Sequence, residues 1–290
     1  MSVSAPAVCI LPYEIKLGVF PSRLELDKCQ WPLGQPNRLV GKLLHDLEPS
    51  DHLLISPRSS LHWRPGFGTR AKVSLYFQEP AAIHGHHMRK LRRSYRRFHR
   101  VLHFCREFVA SLPNGLHFPL GGTFVPDWAE HSNCQKTRMV SLIASAKRSQ
   151  VGHGLRHAIV DWAAETGVGL DVMGRGYKTL ERQADGLAPY RYSVVIENVQ
   201  ERDYFSEKLI DAILCKTVPI YWGCPNIGDY FDPGLMIVCN SEQELRAAVL
   251  AADQVGFEDR RNALEAAKPD AIVYSDIAGR AARSLLAADR

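Results

Sequence analysis

An acidic and a basic residue stand side by side at the predicted start of a helix, where they could hold a sugar and a phosphate together. Ser206 is a typical N-cap residue, and Glu207 and Lys208 follow it in the first helical turn. The unpaired backbone N–H groups and the positive dipole end of such a helix favour a phosphate, and the Lys208 ammonium adds charge there. The Glu207 carboxylate repels phosphate and is better suited to accept hydrogen bonds from sugar hydroxyls. The pair therefore suggests a nucleotide sugar, although solvated Glu-Lys pairs are also common in first helical turns.

The elements around this helix place further polar residues at the same edge of a sheet. Two predicted strands, residues 192–196 and 218–222, flank the helix in sequence, and the helix has one apolar face. Glu197 and Asn198 come where the first strand ends, and Tyr204 lies in the loop that follows. In a parallel sheet with crossover helices, ligands bind beyond the carboxyl ends of the strands. We therefore expect these three side chains to join the Glu-Lys pair in binding a donor.

This ordered set of residues resembles the C-terminal signature of glycosyltransferase family 10, the α-1,3/4-fucosyltransferases. The family pattern is F-E-N, then Y-x-(T/S)-E-K, a helix, and a V-P-(I/V)-x-x-G strand. The matching positions are Glu197-Asn198, Tyr204, Ser206-Glu207-Lys208, and Val218-Pro219-Ile220 with Gly223. The resemblance implies a GT-B fold, in which two Rossmann-like αβα domains face each other across a cleft that holds GDP-fucose. It also implies inverting transfer of L-fucose from GDP-fucose to a hydroxyl of a glycan acceptor.

The same resemblance assigns roles to residues outside this stretch. The family's E-S-P triplet, which carries its general base, is matched by Glu79, although a proline follows here directly and the serine is absent. Inverting transfer needs such a base, because the attacking acceptor hydroxyl must lose its proton. Ser145 and Arg156 match residues that meet the donor phosphates in the family. Lys147, together with Arg148, is expected to compensate for Ala146, which replaces the family's usual asparagine.

No cofactor and no tightly bound metal are expected. The sequence has no D-x-D pair, so Lys, Arg and helix N-termini are expected to meet the charge of the nucleoside diphosphate. His84, His86 and His87 offer a metal-binding alternative, but no Cys or carboxylate ligand stands close to them in sequence. We interpret them as histidines of a loop that contacts the acceptor.

The composition indicates an ordinary soluble globular protein, whereas the α/β fold class is predicted from the alternation of strands and helices. The 290 residues are 46% hydrophobic and 23% charged, and the net charge is +5. This mild basicity fits a phosphate-bearing partner or an anionic membrane surface, and no nucleic-acid partner is expected. The seven cysteines include no C-x-x-C pair, which argues against a zinc ribbon. Because the sequence has no apolar run of transmembrane length and no signal-peptide pattern, the predicted location is the cytoplasm, with peripheral contact to the inner membrane left open.

The most basic segment, residues 88–100, has two interpretations. Leu91, Tyr95 and Phe98 recur at helical spacing among arginines and a lysine, so the segment could contact a membrane surface or an acidic glycolipid. It could equally be the solvated face of a helix. The expected acceptor is a bacterial surface polysaccharide or lipopolysaccharide.

Strands alternate with helices in both halves of the chain, which predicts two parallel αβα domains. We place an acceptor-binding domain at residues 1–135 and a nucleotide-sugar donor domain at residues 136–290. A first strand is predicted at 15–20 and a helix at 35–47. The alternatives are a GT-B transferase that uses another nucleotide sugar, and a non-catalytic module that binds anionic lipid or nucleic acid through its basic segment. The Glu-Lys pair distinguishes these functions, because a binding module does not need it.

Overall fold

A computed structural model describes residues 5–290 and divides the chain into two compact units. The first unit contains the chain up to residue 119 together with residues 277–290, and the second contains residues 120–276. The helices and strands in chain order are β1 (Val8–Leu11), β2 (His52–Ile55), β3 (Lys72–Tyr76), α1 (Ala81–Ser94), β4 (Val101–His103), α2 (Arg106–Ala110), β5 (Gly115–His117), α3 (Trp128–His131), β6 (Arg138–Ile143), α4 (Val151–Thr166), β7 (Leu170–Met173), β8 (Tyr190–Ile196), α5 (Glu207–Leu214), β9 (Val218–Trp222), β10 (Ile237–Val238), α6 (Glu242–Leu250), α7 (Gln254–Ser275) and α8 (Ile277–Ala287).

The first unit is built on a parallel sheet of five strands in the sequential order β1-β2-β3-β4-β5. Every residue of β1 and β2 is buried, as expected for parallel strands that are covered on both faces. The strand predicted at residues 15–20 is wrong, because β1 lies earlier in the chain. Residues 15–20 form a loop in which Gly18 has a φ of +63° and Val19 and Phe20 are exposed.

The helix predicted at residues 35–47 is also wrong. Only two short 3-10 turns form there, Asn37–Leu39 and Leu44–Asp46. Pro36 precedes the first turn in an extended conformation, and Gly41 has a φ of +66°, which no residue of a right-handed helix adopts. Leu39 and Leu44 of these turns are buried in the core of the first unit.

The second unit contains a parallel sheet with the order β10-β9-β8-β6-β7. From β6 the chain passes to β7 on one side, and from β8 it passes to β9 and β10 on the other. The adjacent strands β6 and β8 therefore form a topological switch point, beyond whose carboxyl ends ligands bind in open α/β sheets. The predicted sequence of strand, helix and strand over residues 192–222 is present as β8, α5 and β9.

The predicted domain boundaries differ from this division at both ends of the second unit. Residues 120–135 belong to the second unit, and its last helix is α7, whereas α8 belongs to the first unit. Ala281, Ala282 and Leu285 of α8 are fully buried, and Arg280 donates a hydrogen bond to the carbonyl of Pro119.

The residues after α8 are also held by the first unit. The carboxylate of Asp289 pairs with Lys72 and lies 2.6 Å from Nε2 of His99, while Arg100 donates to the Ala288 carbonyl at 2.7 Å. Within the described residues, no helix is both long enough and apolar enough to cross a membrane.

Candidate active site

The start of α5 is fixed to the end of β8 by a buried carboxylate. Glu197 is fully buried and accepts hydrogen bonds from the Ser206 backbone N–H at 2.8 Å and from the Ser206 hydroxyl at 2.6 Å. The Ser206 hydroxyl in turn accepts from the backbone N–H of Lys208, so the predicted N-cap is confirmed. Glu197 was predicted to bind the donor directly, but its contacts make it a positioning residue for the helix that carries the Glu-Lys pair.

Glu207 and Lys208 form an ion pair in the first turn of α5. Nζ of Lys208 lies 2.8 Å from Oε1 of Glu207 and 3.0 Å from the Ser206 hydroxyl, and 3.7 Å from the Glu197 carboxylate. Burial would raise the pKa of Glu207, but the Lys208 charge and hydrogen bond outweigh burial and hold this pKa below its ordinary value. Burial likewise opposes the charged form of Lys208, but Glu207 and Glu197 hold its pKa above the ordinary value. Both residues are therefore charged at neutral pH.

Arg156 brings a second cation to the same edge from the first half of α4. Its side chain is buried, and its Nε donates to the carbonyl of Ile196 at 3.0 Å. Its Nη2 donates to the same carbonyl and to Oδ1 of Asn198 at 3.2 Å. Its Nη1 group makes no hydrogen bond to the described residues, so a buried guanidinium keeps donors for a ligand.

A cavity of ≈ 600 Å³ opens at this edge, within the range of small-molecule sites. Four residues predicted to bind the donor line it: Ser145, Arg156, Glu207 and Lys208. Ile143 and Ile196, which end β6 and β8, also line it, so the cavity lies at the switch point of the sheet. The charged residues of its lining are Arg156, Arg175, Lys208 and Glu207, and this excess of positive charge suits a diphosphate.

The sequence prediction missed part of this lining. Arg175, Thr179 and Gln183 lie on the cavity wall but were not predicted as donor-binding residues. Arg175 could have been found from its position, because it follows the end of β7 within a Gly-Arg-Gly turn. Thr179 lies in an irregular segment and Gln183 begins a short 3-10 turn, and neither position gives a local signal.

Besides Glu197, three residues predicted to bind the donor do not line the cavity in the described structure. Lys147 is exposed, and its carbonyl lies 3.0 Å from Nε2 of His157. Tyr204 is buried at 2% exposure, and Asn198 is engaged with Arg156. The hydrogen bond that Asn198 accepts supports the Arg156 guanidinium, which lines the cavity.

Gly152 allows the start of α4 to approach the end of β8 closely. A Cβ atom at this position would lie 1.8 Å from the carbonyl oxygen of Glu197, and the Gly152 N–H donates to the Asn198 carbonyl at 3.0 Å. No side chain fits at this position. The absence of a Cβ therefore lets α4, which carries Arg156, lie close to the end of β8.

The candidate base, Glu79, lies in the first unit. It is half-buried, follows β3, the middle strand of the sheet, and precedes the first turn of α1. It therefore has the predicted place at the carboxyl end of a parallel strand.

The histidines interpreted as part of an acceptor loop lie in α1, which corrects that interpretation. His84 and His87 are buried, whereas His86 is exposed. Nδ1 of His87 lies 3.0 Å from Nε2 of His62, whose Nδ1 lies 2.8 Å from the Ser94 hydroxyl. Burial lowers the pKa of His87 to about 3, and the adjacent His86 adds to this shift. These contacts hold α1 against the turn that carries His62, within the first unit.

Asp211 ties α5 to the segment that carries Phe124, another residue of the cavity wall. Its carboxylate is fully buried and accepts from the Thr123 hydroxyl at 2.5 Å and from the Phe124 N–H at 3.1 Å. Burial raises the pKa of Asp211 to about 7, and the hydrogen bond from Thr123 only partly offsets it.

The stability of the protein is expected to fall as Asp211 ionises. A raised folded-state pKa makes the stabilising contribution complete below about pH 4, and this contribution is lost as pH rises through about 7. The difference between 3.8 and about 7 corresponds to about 4 kcal/mol. Chemical denaturation from pH 5 to 8 should show the parent losing stability relative to Asp211→Asn. The exposed control Asp259→Asn should follow the parent, and parallel curves for parent and Asp211→Asn would contradict the assignment.

Comparison with known proteins tests the family resemblance. Residues 133–240 match the family model described as glycosyltransferase family 10 (fucosyltransferase) C-term. The predicted resemblance is confirmed over this segment. The segment contains β6, β8, α5 and β9, and thus most of the cavity described above. Glu79 lies outside the matched residues.

A curated relative matches about a third of the chain. The alpha-(1,3)-fucosyltransferase FucT of Helicobacter pylori is 30% identical over 104 residues, which are 36% of this chain and 22% of that enzyme. The match thus spans about a fifth of the relative's length. The match leaves the greater part of the relative uncompared.

Solved structures extend the likeness to both units at the level of fold. An alpha1,3-fucosyltransferase with GDP has a TM-score of 0.54 and 17% identity, covering 90% of this chain and 83% of the other. TarM from S. aureus has a TM-score of 0.52 and 9% identity, covering 76% and 52%. These neighbours are GT-B glycosyltransferases, and the predicted fold class, two parallel-sheet αβα domains, is confirmed.

Proposed function

We propose that this protein is an inverting glycosyltransferase that moves L-fucose from GDP-fucose to a hydroxyl of a glycan acceptor. The observation that carries the proposal is the meeting of Arg156, Glu207 and Lys208 in one cavity at the sheet's switch point. The family 10 match over the same residues supports fucose as the sugar, and the fold neighbour solved with GDP supports GDP as the nucleotide.

Different residues of the cavity bind different parts of the donor. The diphosphate is held by the Nη1 donors of Arg156, by Lys208 and by the N-terminus of α5. Lys208 uses two of its three N–H groups on Ser206 and Glu207, which leaves one for a phosphate oxygen. The ionised Glu207 carboxylate accepts hydrogen bonds from sugar hydroxyls and favours the positive charge that develops on the ring in the transition state.

The reaction is a single displacement. The acceptor oxygen forms a bond to the anomeric carbon while the bond from that carbon to the diphosphate oxygen breaks. The electron pair of the broken bond leaves with GDP, and the acceptor proton goes to a carboxylate. We assign this role to Glu79, on its place after β3 and on the resemblance of its sequence context to the family's base. The acceptor we propose is a bacterial surface polysaccharide or lipopolysaccharide.

Thermal-shift measurements with nucleotides test the proposal. A ligand that binds only the folded protein at one hundred times its Kd stabilises it by about 2.7 kcal/mol, which is easily detected as a higher Tm. We expect a shift with GDP and GDP-fucose that exceeds the shifts with UDP, CDP and their sugars. A larger shift with UDP would indicate a UDP-sugar as the donor, and the proposed fold and reaction class would stay the same. No shift with any nucleotide would overturn the donor site itself.

Transfer or donor hydrolysis is expected to persist in EDTA. The proposed phosphate contacts are cations of the chain itself, namely Arg156 and Lys208. Release of GDP, measured with and without EDTA, checks this. Complete loss of activity that manganese restores would contradict it. The first residues to test would then be the described clusters with metal-ligand spacing: His52, His99 and Asp289, and Asp127, Glu130 and His131.

A further inference from the structure

The solvent side of α1 carries a strongly basic face. Arg89, Lys90, Arg92 and Arg93 are exposed, and the sequence has no acidic residue between Pro80 and Arg106. In the part of the chain that the structure describes, Arg89, Arg92 and Arg93 make no ion pair. The proposed transferase chemistry uses none of these residues, so their charge is available for another partner.

This basic face borders an open cavity of ≈ 930 Å³ that Trp63 also lines. The Trp63 side chain is 72% exposed, which is unusual for so large an apolar group. The wall of the cavity includes Trp63, Arg89, Lys90, Arg92, Arg93 and Arg97. An indole surrounded by guanidinium groups combines apolar and cationic recognition in one place.

Trp63 also lines a second, more apolar cavity of ≈ 620 Å³. Leu17, Val19, Leu61 and Pro65 contribute to its wall, and Val19 is 85% exposed. Phe20, next to Val19 in the chain, is 70% exposed. Lys16, Arg58 and Arg64 also line this cavity, so exposed apolar groups lie on one side of Trp63 and cationic groups lie on both sides.

Hydrogen bonds hold the parts of this surface together. Arg97 donates to the carbonyl of Leu61 at 3.2 Å and to that of Arg64. Arg64 in turn donates to the carbonyl of Gly18 at 3.0 Å and to that of Gly66 at 2.7 Å. These bonds join three segments into one preformed surface of the first unit: the turn that follows α1, the turn that carries Trp63, and the loop with Val19 and Phe20.

We propose that this surface, the basic face of α1 with Trp63, Val19 and Phe20, docks on an anionic phospholipid membrane. Arginine and lysine attract the negative headgroups, and tryptophan prefers the boundary between headgroups and acyl chains. The apolar side chains favour lipid over a soluble polyanion, because a nucleic acid or an acidic polysaccharide would leave Val19 and Phe20 in water. The membrane would be the place where a lipid-linked acceptor is met.

Co-sedimentation with vesicles tests the basic face. The full chain is expected to bind phosphatidylcholine vesicles that contain phosphatidylglycerol, to ignore pure phosphatidylcholine, and to dissociate as salt increases. Each basic residue near an anionic surface contributes about a fivefold gain in affinity, so Arg89→Gln, Arg92→Gln and Arg93→Gln together should weaken binding roughly a hundredfold. The control variant Arg138→Gln, Arg246→Gln and Arg261→Gln removes the same charge from the second unit and should bind as the parent does.

Variants of Trp63 distinguish binding to a membrane from binding to a soluble polyanion. Trp63→Ala should weaken vesicle binding severalfold, whereas Trp63→Phe should retain most of it. Heparin binding serves as the polyanion measurement, and it should be weak. The proposal is overturned if Trp63→Ala or the α1 variant binds vesicles as tightly as the parent. Tight heparin binding that ignores Trp63 would also overturn it. Tm and GDP binding, measured on each variant, show that the proteins are folded and report on the donor site separately.

Discussion

Replacing Glu79 with glutamine is expected to lower kcat by about 10²–10⁴-fold, the usual contribution of a general base. Glutamine keeps the size and hydrogen-bonding capacity of the side chain but cannot take the acceptor proton. GDP binding should not change, because Glu79 belongs to the first unit and the cavity proposed to bind the nucleotide is lined by the second. Steady-state kinetics with a soluble acceptor and GDP calorimetry together measure both quantities.

A matched control is Glu14→Gln, which changes an exposed glutamate of the same unit and should leave both kcat and GDP affinity at the parental level. Loss of turnover together with loss of GDP binding would indicate a structural role for Glu79. Near-parental turnover would place the base elsewhere. His86 would then be the next candidate, because it is exposed whereas its neighbours His84 and His87 are buried.

The second large effect is expected at the cation pair of the donor cavity. Lys208→Ala removes a charge-assisted hydrogen bond to phosphate, worth about 1.5–3 kcal/mol, so the Kd for GDP should rise roughly ten- to a hundredfold. The variant also leaves Glu197 and Glu207 without their cation, which adds repulsion toward the diphosphate. Lys216→Ala is the control, because Lys216 follows the same helix and pairs with Glu265 outside the cavity lining. GDP titration by calorimetry gives the Kd values.

Arg156 calls for a more conservative change, because truncation would also leave the Ile196 carbonyl without its donors. Arg156→Lys keeps the charge and loses the planar fork, so the Kd for GDP should rise by a similar factor with little loss of Tm. A variant of either residue that binds GDP as tightly as the parent would remove that residue from the phosphate site.

Local sequence signals were sufficient for the elements that carry the donor site. The β-branched run of β8, the Ser206 cap and the Val-Pro-Ile start of β9 each act within a few residues, and all three are found where predicted. The roles of the polar residues at the ends of these elements were harder to predict. Glu197 and Glu207 are both carboxylates at the sheet edge, yet one is fully buried under α5 and the other lines the cavity. Which of them turns inward depends on tertiary packing that sequence spacing does not reveal.

The beginning of the first unit was predicted poorly because long-range contacts determine it. The Leu26 N–H bonds to the carbonyl of Lys42, and the Asp51 carboxylate accepts from the Ala7 N–H at 2.8 Å and from Arg38. Partners so far apart leave no periodic pattern in the sequence. The same reasoning explains the misplaced domain boundary, since the apolar face of α8 does not indicate which unit it packs against.

The place of α8 also constrains the order in which the protein can be made. The first unit is discontinuous, and residues 277–290 leave the ribosome only after the whole of residues 120–276. Until then the sheet of the first unit lacks the helix whose Ala281, Ala282 and Leu285 are fully buried. Domains ordinarily fold from the N-terminus onward during synthesis. Here the second unit is complete first, and the unit that carries Glu79 can close its core only after residues 277–290 have been made.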